Sequence, residues 1–132
     1  MRPTIAIGTD IIECDRVADM IEKHGPLFLE RVYTVNERGY CQALKSATQS
    51  YAGRWAAKEA VFKVLGTGWS RGVQWTDVEV INEPGGKPLI RLSGKAAEIA
   101  IELGIDEVLI SISHCRSHAV AYAHAVGARP AS

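Results

Sequence analysis

The sequence contains no apolar run approaching the ~20 residues that a membrane-spanning helix requires. Its first residues, Met-Arg-Pro-Thr, lead straight into an alternating pattern, with no apolar stretch of the kind a secretory leader carries. It also lacks a surplus of charge: fifteen Lys and Arg stand against fifteen Asp and Glu, a formal net charge of zero. Proteins held on nucleic acid by counterion release usually show a strong basic excess, so the balance argues against that class. Cysteine is sparse. Cys14, Cys41 and Cys115 are odd in number, widely spaced and free of any C-x-x-C pair, which excludes a disulfide framework and a four-thiolate zinc site. There is no internal repeat, linker or low-complexity segment. These absences predict a soluble cytoplasmic protein with neither a membrane nor a nucleic acid as partner.

What is present has the balance of an ordinary globular domain: 47% hydrophobic and 23% charged residues over 132 positions. One domain is expected over residues 1–126, with 127–132 as a frayed tail. TIAIGTD alternates, placing Ile5, Ile7 and Thr9 on one face of a strand and Ala6, Gly8 and Asp10 on the other. A helix follows over about 15–24, stopped by Gly25-Pro26, and PLFLERVY adds a further helical turn. Thr34-Val-Asn-Glu37 has the form of a capping box for a short helix over about 35–45. Ser46-Ala-Thr-Gln49 repeats that signal and opens the longest helix, about 48–65, closed by Gly66. Beyond GTGWSRG the period changes to two, and EPGGK turns one strand back into PLIRL as a hairpin. Ser93 is placed to cap KAAEIAIEL, after which VLISIS and HAVAYAHAV pair across the turn HCRS. The order predicts an α+β fold, a mainly antiparallel sheet packed against a long central helix.

That helix carries the informative residues. At about 100° per residue, Tyr51, Trp55, Phe62 and Leu65 form a core stripe, and Ala52, Ala56, Glu59 and Lys63 form a second column beside it. On a solvated face Glu59 and Lys63 are an ordinary i,i+4 pair, worth roughly 0.2–0.5 kcal/mol. The two alanines, however, leave room for a ligand or another backbone. Asp10 emerges from the strand face bearing Ala6 and Gly8, and is equally suited to capping the turn that follows. Convergence of Asp10 and Glu59 would suit Mg²⁺, which takes one or two protein carboxylates and completes its shell with water and phosphate oxygens. Lys63 would then face the same phosphates as a compact positive charge. Other signals are weaker. Gly66 reads as a glycine cap, since a helix C-terminus repels phosphate. His114, Cys115 and His118 flank one tight turn with no fourth ligand nearby, which disfavours zinc. Trp69 and Trp75 read as core or interface.

GTDIIECDRVADM near the start, together with GRWAAKEAVFKVLGTG from Gly53 to Gly68, resembles the holo-(acyl-carrier-protein) synthases, the small phosphopantetheinyl transferases. The similarity continues through GVQWTDVEV, GKPLIRLSGKA and LISISH, covering about residues 4–124. The resemblance implies Mg²⁺-dependent transfer of the 4′-phosphopantetheine arm of coenzyme A to a serine of apo acyl carrier protein, releasing adenosine 3′,5′-bisphosphate, a step of fatty acid biosynthesis. It puts the metal acids on Asp10 and Glu59 and the phosphate-contacting lysine on Lys63, the three catalytic candidates. It places Lys58, Gly66, Gly68 and His114, with Lys63, against coenzyme A. Lys58 sits near the centre of the core stripe, so its stem is expected to pack while the ammonium snorkels outward. The resemblance further implies a homotrimer with active sites between subunits. Zero net charge leaves such association unopposed.

The same resemblance predicts that the acidic carrier docks on Arg16, Met20, Lys23 and Arg31. Asp15, Asp19, Glu22 and Glu30 are expected to dilute that basic patch. The Lys45-Ser46 region and Cys115-Arg116-Ser117-His118 also depart from the family pattern, on the coenzyme side. Two other readings use the same residues: a metal-dependent pyrophosphate hydrolase with water as nucleophile, and a coenzyme A-binding module without turnover.

Overall fold

The computed structural model describes residues 2–66 and 71–128, so Gly68 and Trp69 lie outside the described residues. The chain opens with β1 (Thr4–Glu13), then α1 (Cys14–His24), α2 (Pro26–Val32), α3 (Val35–Gln42) and α4 (Ala47–Leu65). A 3₁₀ turn at Trp75–Asp77 leads into β2 (Val78–Asn82) and β3 (Pro88–Leu92). The last elements are α5 (Gly94–Glu102), β4 (Ile105–His114) and β5 (His118–Gly127). The α+β expectation holds, and every paired strand is antiparallel. The strands form two sheets: three strands in the order β1-β5-β4, and the separate β2-β3 hairpin. β5 runs one residue past the expected boundary at 126, because the Gly127 amide donates to the Pro3 carbonyl at 3.1 Å.

Local chemistry explains most boundaries. The Thr34 hydroxyl accepts from the Glu37 amide at 3.2 Å, and the Glu37 carboxylate accepts from the Thr34 amide at 3.0 Å, the reciprocal cap the sequence predicts. Ser46 makes no such bond. Its backbone, at φ −98° and ψ 47°, is not extended as a capping residue requires, and α4 begins at Ala47. Gly66 closes α4 in the left-handed region, at φ 73°, with its amide on the Phe62 carbonyl at 3.0 Å.

The single core stripe expected on α4 gives way to burial on nearly every face. One side meets all three strands of the larger sheet, and the rest meets α1, α3 and β2. Ala52 and Ala56 are fully buried, so the alanine column is closed by packing and not open to a ligand. Small residues permit the approach. Ala119, Ala121, Ala123 and Ala125 line the helix-facing side of β5, all buried. On β1 a Cβ added to Gly8 would stand 2.2 Å from the Ala60 carbonyl oxygen. Trp75 joins this core, its ring 4.3 Å from Trp55 and 5.3 Å from Phe62, as its sequence reading predicts.

Lys58 does not snorkel. It is fully buried, its ammonium donating to Glu37 at 2.7 Å, to the Trp75 carbonyl at 3.1 Å and to the Val78 carbonyl. Burial holds its pKa below the usual lysine value, opposed by the Glu37 charge. The Glu37 carboxylate also accepts from the Val80 amide at 3.0 Å. The pair thus joins α3, the 3₁₀ turn, β2 and α4 at one point. Removing one partner of such a pair leaves a buried charge unanswered. Lys58→Met should therefore cost about 3–5 kcal/mol in urea denaturation. A loss below about 1 kcal/mol would mean that the pair merely fills space.

Candidate active site

Asp10 sits mid-strand on β1, opposite Ala121 of β5, and points to the same side as Gly8 and Ile12, toward α4. The close contact at Gly8 therefore sets how far Asp10 stands from the helix. Lys63 bridges the two elements, its ammonium 2.7 Å from the Thr9 carbonyl and 3.3 Å from the Asp10 carboxylate. Glu59 lies one helical turn before Lys63. Its pKa is raised, first by partial burial and then by the Asp10 carboxylate, while Lys63 pulls it down. Asp10 and Lys63 are thus in contact, and Glu59 lies close enough for the charges of both to act on it.

Two carboxylates that repel each other, answered by one ammonium, form an electrostatically incomplete site. No cluster of three or more His, Cys, Asp or Glu occurs among the described residues. The donor set is therefore two hard oxygen ligands in a half-open position, which suits Mg²⁺ carrying water or phosphate oxygens and suits zinc poorly. Gly66 ends the helix just beyond Lys63 and is exposed. Glu13, although only three residues past Asp10, lies on the opposite face of β1 and is exposed. Lys58 takes no part here, since its three acceptors lie within the core and it reaches no ligand surface.

His114 is not brought to the carboxylates. It lines a separate cavity of about 190 Å³ with Tyr40, Ser46, Gln49, Arg54 and Asn82. Arg54 is only 5% exposed. Its guanidinium donates to the Asn82 side-chain oxygen, and to the Ser50 hydroxyl at 3.3 Å, and lies 4.4 Å above the Tyr40 ring. Its Nε atom is buried without a partner. Sequence reasoning passed over Arg54, Asn82 and Tyr40. Arg54 was visible only as a cation in the otherwise small-residue start of α4. Around the helix it stands about 140° from Glu59, so the cavity and the carboxylate pair open on different sides of α4.

Arg16 and Lys23 are exposed on α1, Met20 is half-buried between them, and Arg31 is exposed on α2. Arg31 also borders a depression of about 670 Å³ with His24, Leu27, Phe28 and Glu30. Acids border this surface: Glu30 lines the same depression as Arg31, and Asp19 stands about 40° from Lys23 around α1. At about 100° per residue, Asp15, Asp19 and Glu22 fall along a different edge of the helix.

Residues 6–123 match the family model of the 4′-phosphopantetheinyl transferase superfamily. A holo-(acyl-carrier-protein) synthase from Ruminiclostridium cellulolyticum is 49% identical over 118 residues, covering 89% of this chain and 88% of the relative. Among solved structures, the holo-(acyl-carrier-protein) synthase from Bacillus anthracis, in complex with CoA (3′,5′-ADP), is 37% identical with a TM-score of 0.78. The match covers 97% of this chain and 100% of that one. The Plasmodium yoelii enzyme is 31% identical with a TM-score of 0.83, covering 98% and 99%. The matched span takes in positions 10, 59 and 63 and leaves no large part of either chain unaccounted for: this chain belongs to the 4′-phosphopantetheinyl transferase superfamily and, within it, to the holo-(acyl-carrier-protein) synthases.

Proposed function

We propose that the chain transfers the 4′-phosphopantetheine group of coenzyme A to a serine of apo acyl carrier protein, at a site made by Asp10, Glu59 and Lys63. The observation that carries this reading is the convergence of the two carboxylates with Lys63 across the β1–α4 contact. Asp10 and Glu59 are the residues that would hold Mg²⁺. Bound there, the ion would neutralise charge on the pyrophosphate being cleaved. The Lys63 ammonium, already at the edge of the site, takes a phosphate oxygen in place of the Asp10 contact it makes in the free chain. The serine hydroxyl must give its proton to a base at the site, a role open to the Glu59 carboxylate. Glu13 faces the other way and does not serve. Adenosine 3′,5′-bisphosphate leaves.

The outer face of the larger sheet supports assembly of identical copies. Ile7, Ile11 and Tyr122 lie on it, 59%, 65% and 44% exposed, interspersed with Thr9, His124 and Ser111, and large exposed apolar side chains of this kind suit an interface. A homotrimer would let the Arg54–His114 cavity of one copy receive the bisphosphate end of coenzyme A bound at the carboxylates of the next. Acyl carrier protein would dock on Arg16, Met20, Lys23 and Arg31. A cytoplasmic location is consistent with the described helices, none of which is long and apolar enough to cross a membrane.

Mass spectrometry of apo carrier incubated with coenzyme A and Mg²⁺ should show the carrier gaining the mass of phosphopantetheine. Free phosphopantetheine instead would mean that water is the nucleophile, and no product would leave only a binding module. Asp10→Asn and Glu59→Gln should each lower turnover more than ~10-fold at limiting Mg²⁺ with folding retained. Lys63→Ala should lose at least ~10-fold and Lys63→Arg should rescue in part, since a planar fork replaces a point charge. Inactive Glu59→Gln and His114→Ala chains, refolded together, should regain activity if one site draws on two copies. Mixtures that exchange subunits yet stay inactive would rule out a shared site.

Glu59 also makes a stability prediction. With its pKa raised, the native metal-free chain holds the proton more tightly than the unfolded chain, so stability falls as pH rises through that window. Glu59→Gln should therefore melt above the unaltered metal-free protein near about pH 7.5, and the gap should close toward about pH 4. Added Mg²⁺ should raise the melting temperature of the unaltered chain more than that of the variant.

A further inference from the structure

On α1 the residues buried against the core, Cys14 and Val17, fix which side of the helix faces outward. On that outer side Arg16, Met20 and Lys23 fall within about 60° of one another. Asp15, Asp19 and Glu22 fall within a second span of about 60°, centred roughly 100° away. Two stripes therefore run side by side, one basic with a methionine at its middle, the other acidic. All five charged residues are exposed.

The fold itself has little use for the acidic stripe. Asp15 lies in the first turn and complements the helix dipole there. Asp19 lies beyond that turn, and Glu22 sits in the last turn, where the dipole disfavours an acid. Asp15 and Asp19 stack at i,i+4 and Asp19 and Glu22 at i,i+3, like-charge spacings that weaken a helix. None of the five charges enters an ion pair among the described residues, not even Asp19 with Lys23 one turn away. Asp19 does have Arg16 and Lys23 at opposite-charge spacings, yet no ion pair forms among the described residues, which leaves the exposed acids free to act on a partner.

We propose that the two stripes of α1 form an orientation guide for an acidic carrier protein. The basic stripe attracts the carrier's negative surface, and the acidic stripe repels that same surface whenever it lies rotated or displaced across the helix. The surviving pose is the one that carries its serine to Asp10, Glu59 and Lys63. This rests on the carrier-docking reading above and adds to it a repulsive element that selects among poses.

The test is the double variant Asp19→Asn/Glu22→Gln, assayed by titrating apo carrier at low and high salt with saturating coenzyme A. Removing the repulsion admits poses that hold the carrier without presenting its serine. Such non-productive binding lowers kcat and the carrier KM by the same factor, roughly threefold or more, and leaves kcat/KM unchanged. The effect should vanish near ~0.5 M salt, where surface charges are screened. Coenzyme KM should not move, and Asp106→Asn, an exposed acid on β4, should leave every parameter unaltered. A lower KM with unchanged kcat would mean simple repulsion without orientation and would overturn the proposal, as would no change at all. Absence of transfer by the unaltered chain would sink the transferase reading and this proposal with it. Normal transfer with either of the other outcomes would sink this proposal alone.

Discussion

Gly8 has no side chain, and the Ala60 carbonyl stands 2.2 Å from where a Cβ would be. That one contact sets the separation of β1 and α4, and much of the molecule follows from it. Alternation along the strand then places Asp10 two residues on, facing the helix. One turn of helix separates Ala60 from Lys63. The ammonium consequently lands 2.7 Å from the Thr9 carbonyl and 3.3 Å from Asp10. The buried alanines of β5 continue the same smooth surface beneath the helix, so the contact cannot relax by tilting α4 away. A methyl group at position 8 would collide first with the Ala60 carbonyl and force β1 away from α4, the two elements that carry Asp10 and Lys63.

The other side of α4 is held by chemistry of a different kind. A buried ion pair is weak evidence of stability, because desolvation offsets its attraction. Its geometric consequence is clearer. Glu37 accepts from Lys58 and from the Thr34 and Val80 amides, while Lys58 also donates to the Trp75 and Val78 carbonyls. Each of these bonds has a direction, which a hydrocarbon contact lacks. The hairpin and α3 therefore meet the helix in one register, and Asn82 at the end of β2 arrives beside Arg54. The register that seats Lys58 in the core thus also builds the cavity around Arg54.

Residue spacing reports most of the local features, apart from the Ser46 cap, while the long-range meeting of Asp10 with Lys63 follows from the family resemblance and not from spacing. The Gly8–Asp10 face, the Glu59–Lys63 turn and the Thr34–Glu37 cap each lie within four residues, and all appear in the structure. The resemblance sets Lys58 against coenzyme A, while the helix pattern points its stem inward but cannot name Glu37, 21 residues away, as the partner that keeps the ammonium in the core. Arg54 was passed over for the same reason, with Asn82 28 residues distant. The alanine column looked open because periodicity reports one buried face, whereas α4 is covered on several. On α1 the angle around the helix sets the acids on an edge next to the bases, an arrangement that linear order does not display.

That same angular reasoning bears on how coenzyme A would be held. Arg54 and Glu59 are separated by five residues, a rise of about 7.5 Å and a turn of about 140°. Between them α4 is packed against sheet on one side and helices on the other, with Ala56, Ala57 and Lys58 all buried. The two openings therefore lie on different sides of one buried helix. Either the cavity at Arg54 serves some other molecule, or the two halves of the coenzyme site are completed by different copies. The exposed Ile7, Ile11 and Tyr122 on the outer face of β1 and β5 favour the second alternative, since they offer apolar contacts through which copies can meet. In that arrangement the helix that separates the two openings within one chain no longer stands between the two ends of the ligand.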